Sequence, residues 1–334
     1  MSCAELAGAA RAPLLDERGR IIDPLLVVDL DTPLADGPIR SDRVLVGITT
    51  ADTLDEGHRN LAATLDLTLG PATLAASGRM FATGDPETLC AAAEANPQAA
   101  LVLAQLVRTT GDLPVPAALD AESLAYSTLL GGGEFRHWLA RRGPRALPPD
   151  AADPVLLART GDVLRITLNR PERRNAYGRQ LRDALVGALD IAELDDTVTR
   201  IVLDGAGPSF CAGGDLAEFG TTPDLTTAHF VRTRAGAGLP LHRLAARVEA
   251  RVHGSCVGAG IELPAFAGRV VAHPTATFRL PETSMGLIPG AGGTVSIPRR
   301  IGRWRTLLLA LSGEPLDAAT ALDWGLVDEL SASK

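Results

Sequence analysis

Residues 251–272 read RVHGSCVGAGIELPAFAGRVVA, and the order of residue types in that stretch decides the fold class. Arg251–His253 begins as a strand, Gly254–Gly260 is a glycine-rich turn, a helix runs from there to Phe266, and Arg269–Ala272 returns to a β-branched strand. The same order stands upstream. Val163–Leu168 alternates as a half-buried strand, Gly178–Ile191 has the spacing of an amphipathic helix, and Arg200–Leu203 is a short buried strand that runs into another glycine-rich turn. A further glycine-rich turn follows at Gly290–Gly293. Such alternation implies an α/β fold whose glycine-rich turns collect at one end of the strands.

Composition sets the outer bounds. The chain has 334 residues, room for two domains and a sizeable core. With 46% hydrophobic and 22% charged residues it has the composition of a globular protein, and no apolar run approaches the length of a membrane helix. A net charge of −8 without a basic patch argues against nucleic acid as partner. The opening MSCAELAGAARAPLL has neither the basic head and apolar centre of a signal peptide nor the Arg/Ser bias of a transit peptide, so a cytoplasmic location is expected. Cys3, Cys90, Cys211 and Cys256 stand far apart, without CxxC or a histidine at metal spacing; no disulfide framework and no metal site are expected. Aromatic residues make up only 4%, so the core must be built mainly of Ala, Leu and Val.

The stretch Gly143–Pro154, GPRALPPDAADP, has four prolines and no apolar period, and reads as a linker. It divides the chain into an N-terminal domain at 1–146, a proline-rich connection at 147–154 and a second domain at 155–334. Before the linker, strands are expected at Leu25–Leu30 and Arg43–Thr50, and helices at Glu87–Ala95, Gln98–Thr109 and Ala117–Leu130. The first domain is thus mixed α/β and ends helical.

Some apparent motifs fail on their residues. Gly290-Ala-Gly-Gly-Thr294 lacks the lysine of a phosphate-binding loop, and in Gly254-Ser-Cys-Val-Gly258 the serine sits one place early for a nucleophile elbow. No GxGxxG occurs, so nothing supports a nicotinamide or flavin cofactor. What remains are four segments in order: Leu168–Tyr177 (LNRPERRNAY), Phe210–Leu216 (FCAGGDL), His253–Leu263 (HGSCVGAGIEL) and Phe278–Thr294 (FRLPETSMGLIPGAGGT). Together they resemble the crotonase, or enoyl-CoA hydratase/isomerase, superfamily over about Pro154 to Leu330. The resemblance implies a ββα-spiral catalytic domain.

The small residues of Cys211–Asp215 let a ligand approach the backbone, and the following LAEF is expected to start a helix with Asp215 as its cap. Gly214 offers an amide donor there, and Ala259, near the start of the next helix, offers a second where the dipole favours a developing oxyanion. Similarity to the family places its oxyanion hole at these two positions, although the second is usually glycine. Glu262 lies three residues after Ala259, on the same helix face, and Glu282 follows a proline-fixed loop. In the family's hydratases two glutamates occupy the matching positions. Two carboxylates flanking one water can exchange protons at both carbons of a double bond. The alternative for Glu262 is an acid complementing the helix dipole, and for Glu282 a solvated loop charge. Arg170, Arg173 and Arg174 cluster on a loop that contacts coenzyme A in the family, so Arg173 and Arg174 are candidate phosphate partners, with solvated surface arginine as the alternative. By the same resemblance Ala176 and Ala212 line the adenine and pantetheine path, with Gly213 and Gly258 as close-approach glycines.

The family's terminal helices, which cover the acyl-CoA and build a trimer, have no counterpart after Gly325-Leu-Val-Asp-Glu329. Asp85–Pro144 resembles them instead, and Arg43–Gly70 faintly resembles a crotonase strand-turn-strand without its glutamates. The N-terminal domain then reads as a degenerate crotonase copy whose helices fold over the active one. The stripe Val102, Leu103, Leu106 and Val107 would face the second domain or a neighbouring subunit, and Phe135 and Trp138 the coenzyme A edge. The expected activity is that of an enoyl-CoA hydratase, a lyase acting on an acyl-CoA partner, with no cofactor besides the coenzyme A of the substrate, no membrane partner, and a homo-oligomeric trimer or hexamer. The rivals are an isomerase or thioester hydrolase using the same hole, a cofactor-free dioxygenase of this fold, and a non-catalytic acyl-CoA-binding protein.

Overall fold

The computed structural model describes residues 1–34 and 41–332. Positions 35–40, within the 1–146 division, and 333–334, within 155–334, lie outside the described residues. The first half begins with α1 (Cys3–Arg11), capped at Ser2, and a parallel sheet of β1 (Leu25–Asp29), β2 (Val44–Ile48), β3 (Leu67–Leu69) and β4 (Phe81–Ala82) in that order. Between β2 and β3 runs α2 (Glu56–Thr64), and a single turn, α3 (Ala72–Ala75), precedes β4. Four helices follow: α4 (Pro86–Ala95), α5 (Pro97–Thr109), α6 (Val115–Leu130) and α7 (Gly133–Arg142). The first three open with proline in the first turn, where its missing N–H costs no hydrogen bond. Residues 143–154 contain neither helix nor strand.

The second half is a spiral of strand pairs and helices. Its elements are β5 (Val155–Thr160), β6 (Val163–Leu168), α8 (Arg179–Leu194), β7 (Arg200–Gly205), α9 (Leu225–Arg234), α10 (Gly238–Arg243), β8 (Val248–Val252), β9 (Ser255–Val257) and α11 (Ala259–Glu262). Then come β10 (Arg269–Ala272), β11 (Thr277–Arg279), α12 (Gly293–Ser312, interrupted at Gly302), β12 (Leu316–Asp317), α13 (Ala318–Trp324) and β13 (Glu329–Leu330). The large sheet runs β13-β10-β8-β7-β6-β5, parallel except for the β5–β6 hairpin; a small sheet runs β12-β11-β9. Each winding leaves the large sheet, turns a corner and adds to the small one. β8 passes into β9 beside β10 passing into β11, and after β7 a bridge at Cys211 pairs with Cys256.

The corner needs backbone where a side chain would not fit. Gly254 has φ +57°, and a Cβ there would stand 2.1 Å from the Pro208 carbonyl oxygen. Opposite it, fully buried Asn175 takes φ +53°, donates its side-chain NH2 to the carbonyls of Ala206 (2.9 Å), Ser209 (3.0 Å) and Phe210 (3.0 Å), and accepts from the Arg170 amide (2.7 Å). Asparagine tolerates the left-handed region and satisfies these carbonyls itself.

One core runs through both halves. Leu103, Leu106 and Val107 of α5 are buried with Val295, Ile297 and Ile301 of α12, and half-buried Val102 packs against the same core. Phe135 and Trp138 of α7 stack at 5.8 Å and meet the Phe219 ring, while the Leu139 side chain fills the space over Gly220. A separate smaller core lies under α1, formed with Leu26, Val28, Leu65 and Phe81. One expected element is absent. Leu216–Gly220 is a turn rather than a helix, and Asp215, instead of capping a helix, accepts from the Ala217 amide (3.0 Å) and from Nε and Nη2 of the Arg173 guanidinium (3.0 and 2.7 Å). A carboxylate only 3% exposed is satisfied better by a two-pronged cation than by a cap that leaves it uncompensated.

Asn175→Ala removes the donor for three buried carbonyls and should cost about 2–4 kcal/mol of stability. Urea unfolding checks this; an unchanged midpoint would mean that the corner does not depend on Asn175.

Candidate functional site

Gly214, Ala259, Glu262 and Glu282 line one cavity of about 520 Å3, a volume suited to a small-molecule ligand. The two amide donors come from loops held together through backbone. Val257 donates to the Cys211 carbonyl at 3.0 Å, and a Cβ on Gly260 would lie 2.1 Å from that same oxygen. On one side Tyr177 and Gly214 form a bridge; on the other Gly258, at φ +49° and ψ −120°, turns the chain into α11. Among the described residues neither the Gly214 nor the Ala259 amide has a protein acceptor. Both stand at the wall of the cavity. The Phe219 ring lies over Gly214, where a Cβ would meet it at 2.8 Å.

Glu262, at the end of α11, and Glu282, at the start of a short 3-10 turn after Pro281, converge on Gly258. A Cβ at 258 would be 2.4 Å from Glu282 Oε1 and in ordinary contact, at 3.6 Å, with Glu262 Oε1, so glycine at this left-handed position makes room for the Glu282 carboxyl. Glu262 Oε2 accepts from the amides of Ala291 (2.7 Å) and Gly293 (2.9 Å), which leaves Oε1 turned toward the cavity. Glu282 Oε2 is buried with no hydrogen-bond partner among the described residues. Burial and the charges of Glu282 and Glu122 push the Glu262 carboxyl well above its ordinary range, and burial pushes Glu282 up to about 7. Near neutrality the pair therefore holds a proton between its two members. The two backbone donors on Glu262 oppose that push without cancelling it, and Glu282 Oε2 has no donor to oppose it.

The other expected contacts lie elsewhere. Arg173 is committed to Asp215, Arg170 is buried against the Pro149 carbonyl, Glu172 and Gln180, and exposed Arg174 uses its backbone carbonyl to hold the Ala212 amide at 2.9 Å. Arg173, Arg174, Ala176, Ala212 and Gly213 do not line the cavity. Gly213, at φ +93°, is pressed to within 3.0 Å of the Val257 carbonyl if given a Cβ, so it joins the two loops. Arg182 of α8 and Arg232 of α9 do line the cavity, with Arg232 stacked 4.8 Å over the Tyr126 ring. Tyr126 and Leu130 bring α6, from the first half, into the wall.

Sequence reasoning passed over Glu122 on α6, 2% exposed and pushed up to about 7 by burial. A signal was there: Val115, Ala118, Glu122 and Leu129 follow one helical stripe and all are buried, so the acid occupies a core position. Asp120, two residues earlier, is a surface partner of Arg234. Among the described residues no group of three or more His, Cys, Asp or Glu side chains is arranged to hold a metal ion.

The model of the enoyl-CoA hydratase/isomerase family matches residues 158–334. The chain is 38% identical over 174 residues to the 1,2-epoxyphenylacetyl-CoA isomerase of Escherichia coli K12, covering 49% of this chain and 64% of that protein, slightly under two thirds of its length. It is 36% identical over 179 residues to the 2,3-dehydroadipyl-CoA hydratase of the same organism, covering 54% of this chain and 69% of the other. Among solved structures, the enoyl-CoA hydratase of Mycobacterium smegmatis superposes with a TM-score of 0.50 at 33% identity, over 54% of this chain and 70% of that one. The chain belongs to the enoyl-CoA hydratase/isomerase family. Its fold is the crotonase fold, with an α/β region in front of the matched part.

The raised Glu282 carboxyl makes stability depend on pH. Between about 4.5, the ordinary value, and about 7, the folded chain retains a proton that the unfolded chain releases, so this group lowers stability as pH rises through that window. Glu282→Gln should therefore raise Tm at pH 8, with the gain vanishing toward pH 4. Scanning calorimetry at both pH values reads the difference, and an equal effect at each would contradict it.

Proposed function

We propose that the protein adds water across the double bond of an α,β-unsaturated acyl-CoA thioester. The observation that carries this reading is the convergence of Glu262 and Glu282 on Gly258, inside a cavity that also presents two unengaged backbone amides. The Gly214 and Ala259 amides would receive the thioester oxygen and stabilise the enolate-like transition state, at roughly 3 kcal/mol per donor. Glu262, whose Oε2 is held by backbone, would take a proton from water through Oε1 as the water oxygen bonds to the β-carbon. Glu282 would deliver its proton to the α-carbon as the double bond opens. One water is consumed, and the pair resets when the proton on Glu262 returns to Glu282. Coenzyme A enters as part of the substrate, and the helices of Asp85–Pro144 take the covering role over the cavity.

Isomerisation within the same family uses the same hole with a proton moved between carbons, and the relative named as an isomerase keeps that reading in view. Mass spectrometry of a panel of enoyl-CoA thioesters separates them: hydration adds the mass of one water, isomerisation adds nothing. Glu262→Gln and Glu282→Gln should each lower kcat at least ~100-fold with little change in thioester affinity. Hydration that survives Glu262→Gln but not Glu282→Gln would replace the two-glutamate mechanism with a single-base one.

A further inference from the structure

Four successive backbone N–H groups lead into α12, and two carboxylates divide them alternately. Ala291 and Gly293 donate to Glu262 Oε2 at 2.7 and 2.9 Å. Gly292 donates to Glu122 Oε1 at 2.7 Å, while the Thr294 amide and hydroxyl donate to Glu122 Oε2 at 2.9 and 2.7 Å. All three bonds to Glu122 are buried. Residues at a helix start have no intrahelical acceptor for these amides, so each must find one outside the helix. At 292 and 293 the backbone also has no side chain with which to brace itself. A Cβ on Gly292 would meet the Phe266 ring at 2.4 Å, and one on Gly293 would meet Glu262 Cγ at 2.6 Å. The direction in which the Ala291 and Gly293 amides point is then fixed by where their neighbours' amides are anchored.

We propose that Glu122, supplied by α6 from the first half of the chain, is a positioning residue for Glu262: by holding the amides of Gly292 and Thr294 it turns those of Ala291 and Gly293 onto Glu262 Oε2 and keeps Oε1 facing Glu282. This rests on the reading of Glu262 and Glu282 as the proton-transferring pair. Cutting Glu122 leaves two buried amides without an acceptor, and the segment can satisfy them only by rotating, which takes the other two off Glu262. Other groups around Glu122 cannot stand in as acceptors. Arg232 of α9 is a cation bonded to Ser123 and Ser127, and the Tyr126 ring lies against Gly290 beside the cavity. Glu262 and Glu282, the remaining titratable neighbours, are the groups being positioned.

Glu122→Gln in the full chain tests this, because one terminal atom of glutamine becomes a donor facing a donor. The expected result is a kcat at least ~10-fold lower with KM within ~3-fold, and in the Glu262→Gln background a further loss below ~3-fold, since the two act as one unit. Amide hydrogen exchange followed by NMR supplies a readout that needs no turnover. Exchange at Ala291 and Gly293, which do not touch Glu122, should accelerate at least ~10-fold while the amides of Leu307–Leu311 in the same helix keep their protection. A general loss of stability would accelerate both groups alike. Unchanged exchange at Ala291 and Gly293, or a full multiplicative loss of kcat on top of Glu262→Gln, overturns the proposal. If the wild type hydrates no thioester, the functional reading fails and the exchange arm still decides on Glu122. Should Glu122→Gln not fold, Glu122→Asp, which keeps the carboxyl but draws it back by one methylene from the Gly292 and Thr294 amides, replaces it: a ~3-fold acceleration at Ala291 and Gly293 is expected, and unchanged exchange there overturns the proposal.

Discussion

The contact on which the site depends is one of backbone against backbone, where residue 260 passes the Cys211 carbonyl with no space for even a methyl group. That approach brings together two loops, one entered from β7 and one from β9, and with them the two free amides. Side-chain packing has tolerance of a few tenths of an ångström because rotamers adjust. A peptide unit lying on another has almost none. The glycines at 213, 258 and 260 thus act less as flexible joints than as surfaces along which two stretches of main chain are pressed into register. The buried acids then occupy the space that this arrangement leaves.

Electrostatics follows from the same geometry. A carboxyl group removed from water must be neutral, paired with a cation or supplied with donors. The chain uses a different solution at each acid: Asp215 takes a guanidinium, Glu122 and Glu262 take main-chain amides, and Glu282 has an oxygen with nothing on it. Burial pushes all three glutamates upward, so together they retain protons that solvated carboxyls would release.

Much of this was legible in the residues, and the parts that were not share a cause. Strands such as Val163–Leu168 and Arg269–Ala272 stand where alternation and β-branching put them, and the three helices expected in the first half agree to within two residues, while α1, α2, α3 and α7 were not foreseen. Gly214, Ala259, Glu262 and Glu282 were each legible because glycine turns and a local helix are short-range features, whereas the backbone contact at Cys211 that brings them together is not. The fates of Leu216–Gly220, Arg173 and Glu122 were decided by partners distant in sequence. LAEF has fair helix propensity, yet Asp215 is drawn to Arg173, 42 positions back, and the segment closes as a turn. The helical stripe sets Glu122 inward and Asp120 outward, but what a buried acid there would bond arrives only with residues 292–294, 170 positions further on.

The packing of α5 and α6 on α12 also sets an order of events for a chain emerging from a ribosome. The apolar stripe of α5 is complete long before the residues of α12 that bury it are made; at roughly 5–20 residues per second the interval is on the order of ten to forty seconds. During that time Leu103, Leu106 and Val107 have no second-half partner, while α1 and the sheet of β1–β4 already hold a core of their own. Contacts spanning such separations also slow the search for the native arrangement, because a long loop must close before they form. The order of the halves therefore leaves the nascent first half with an apolar stripe whose partner is the rest of its own chain.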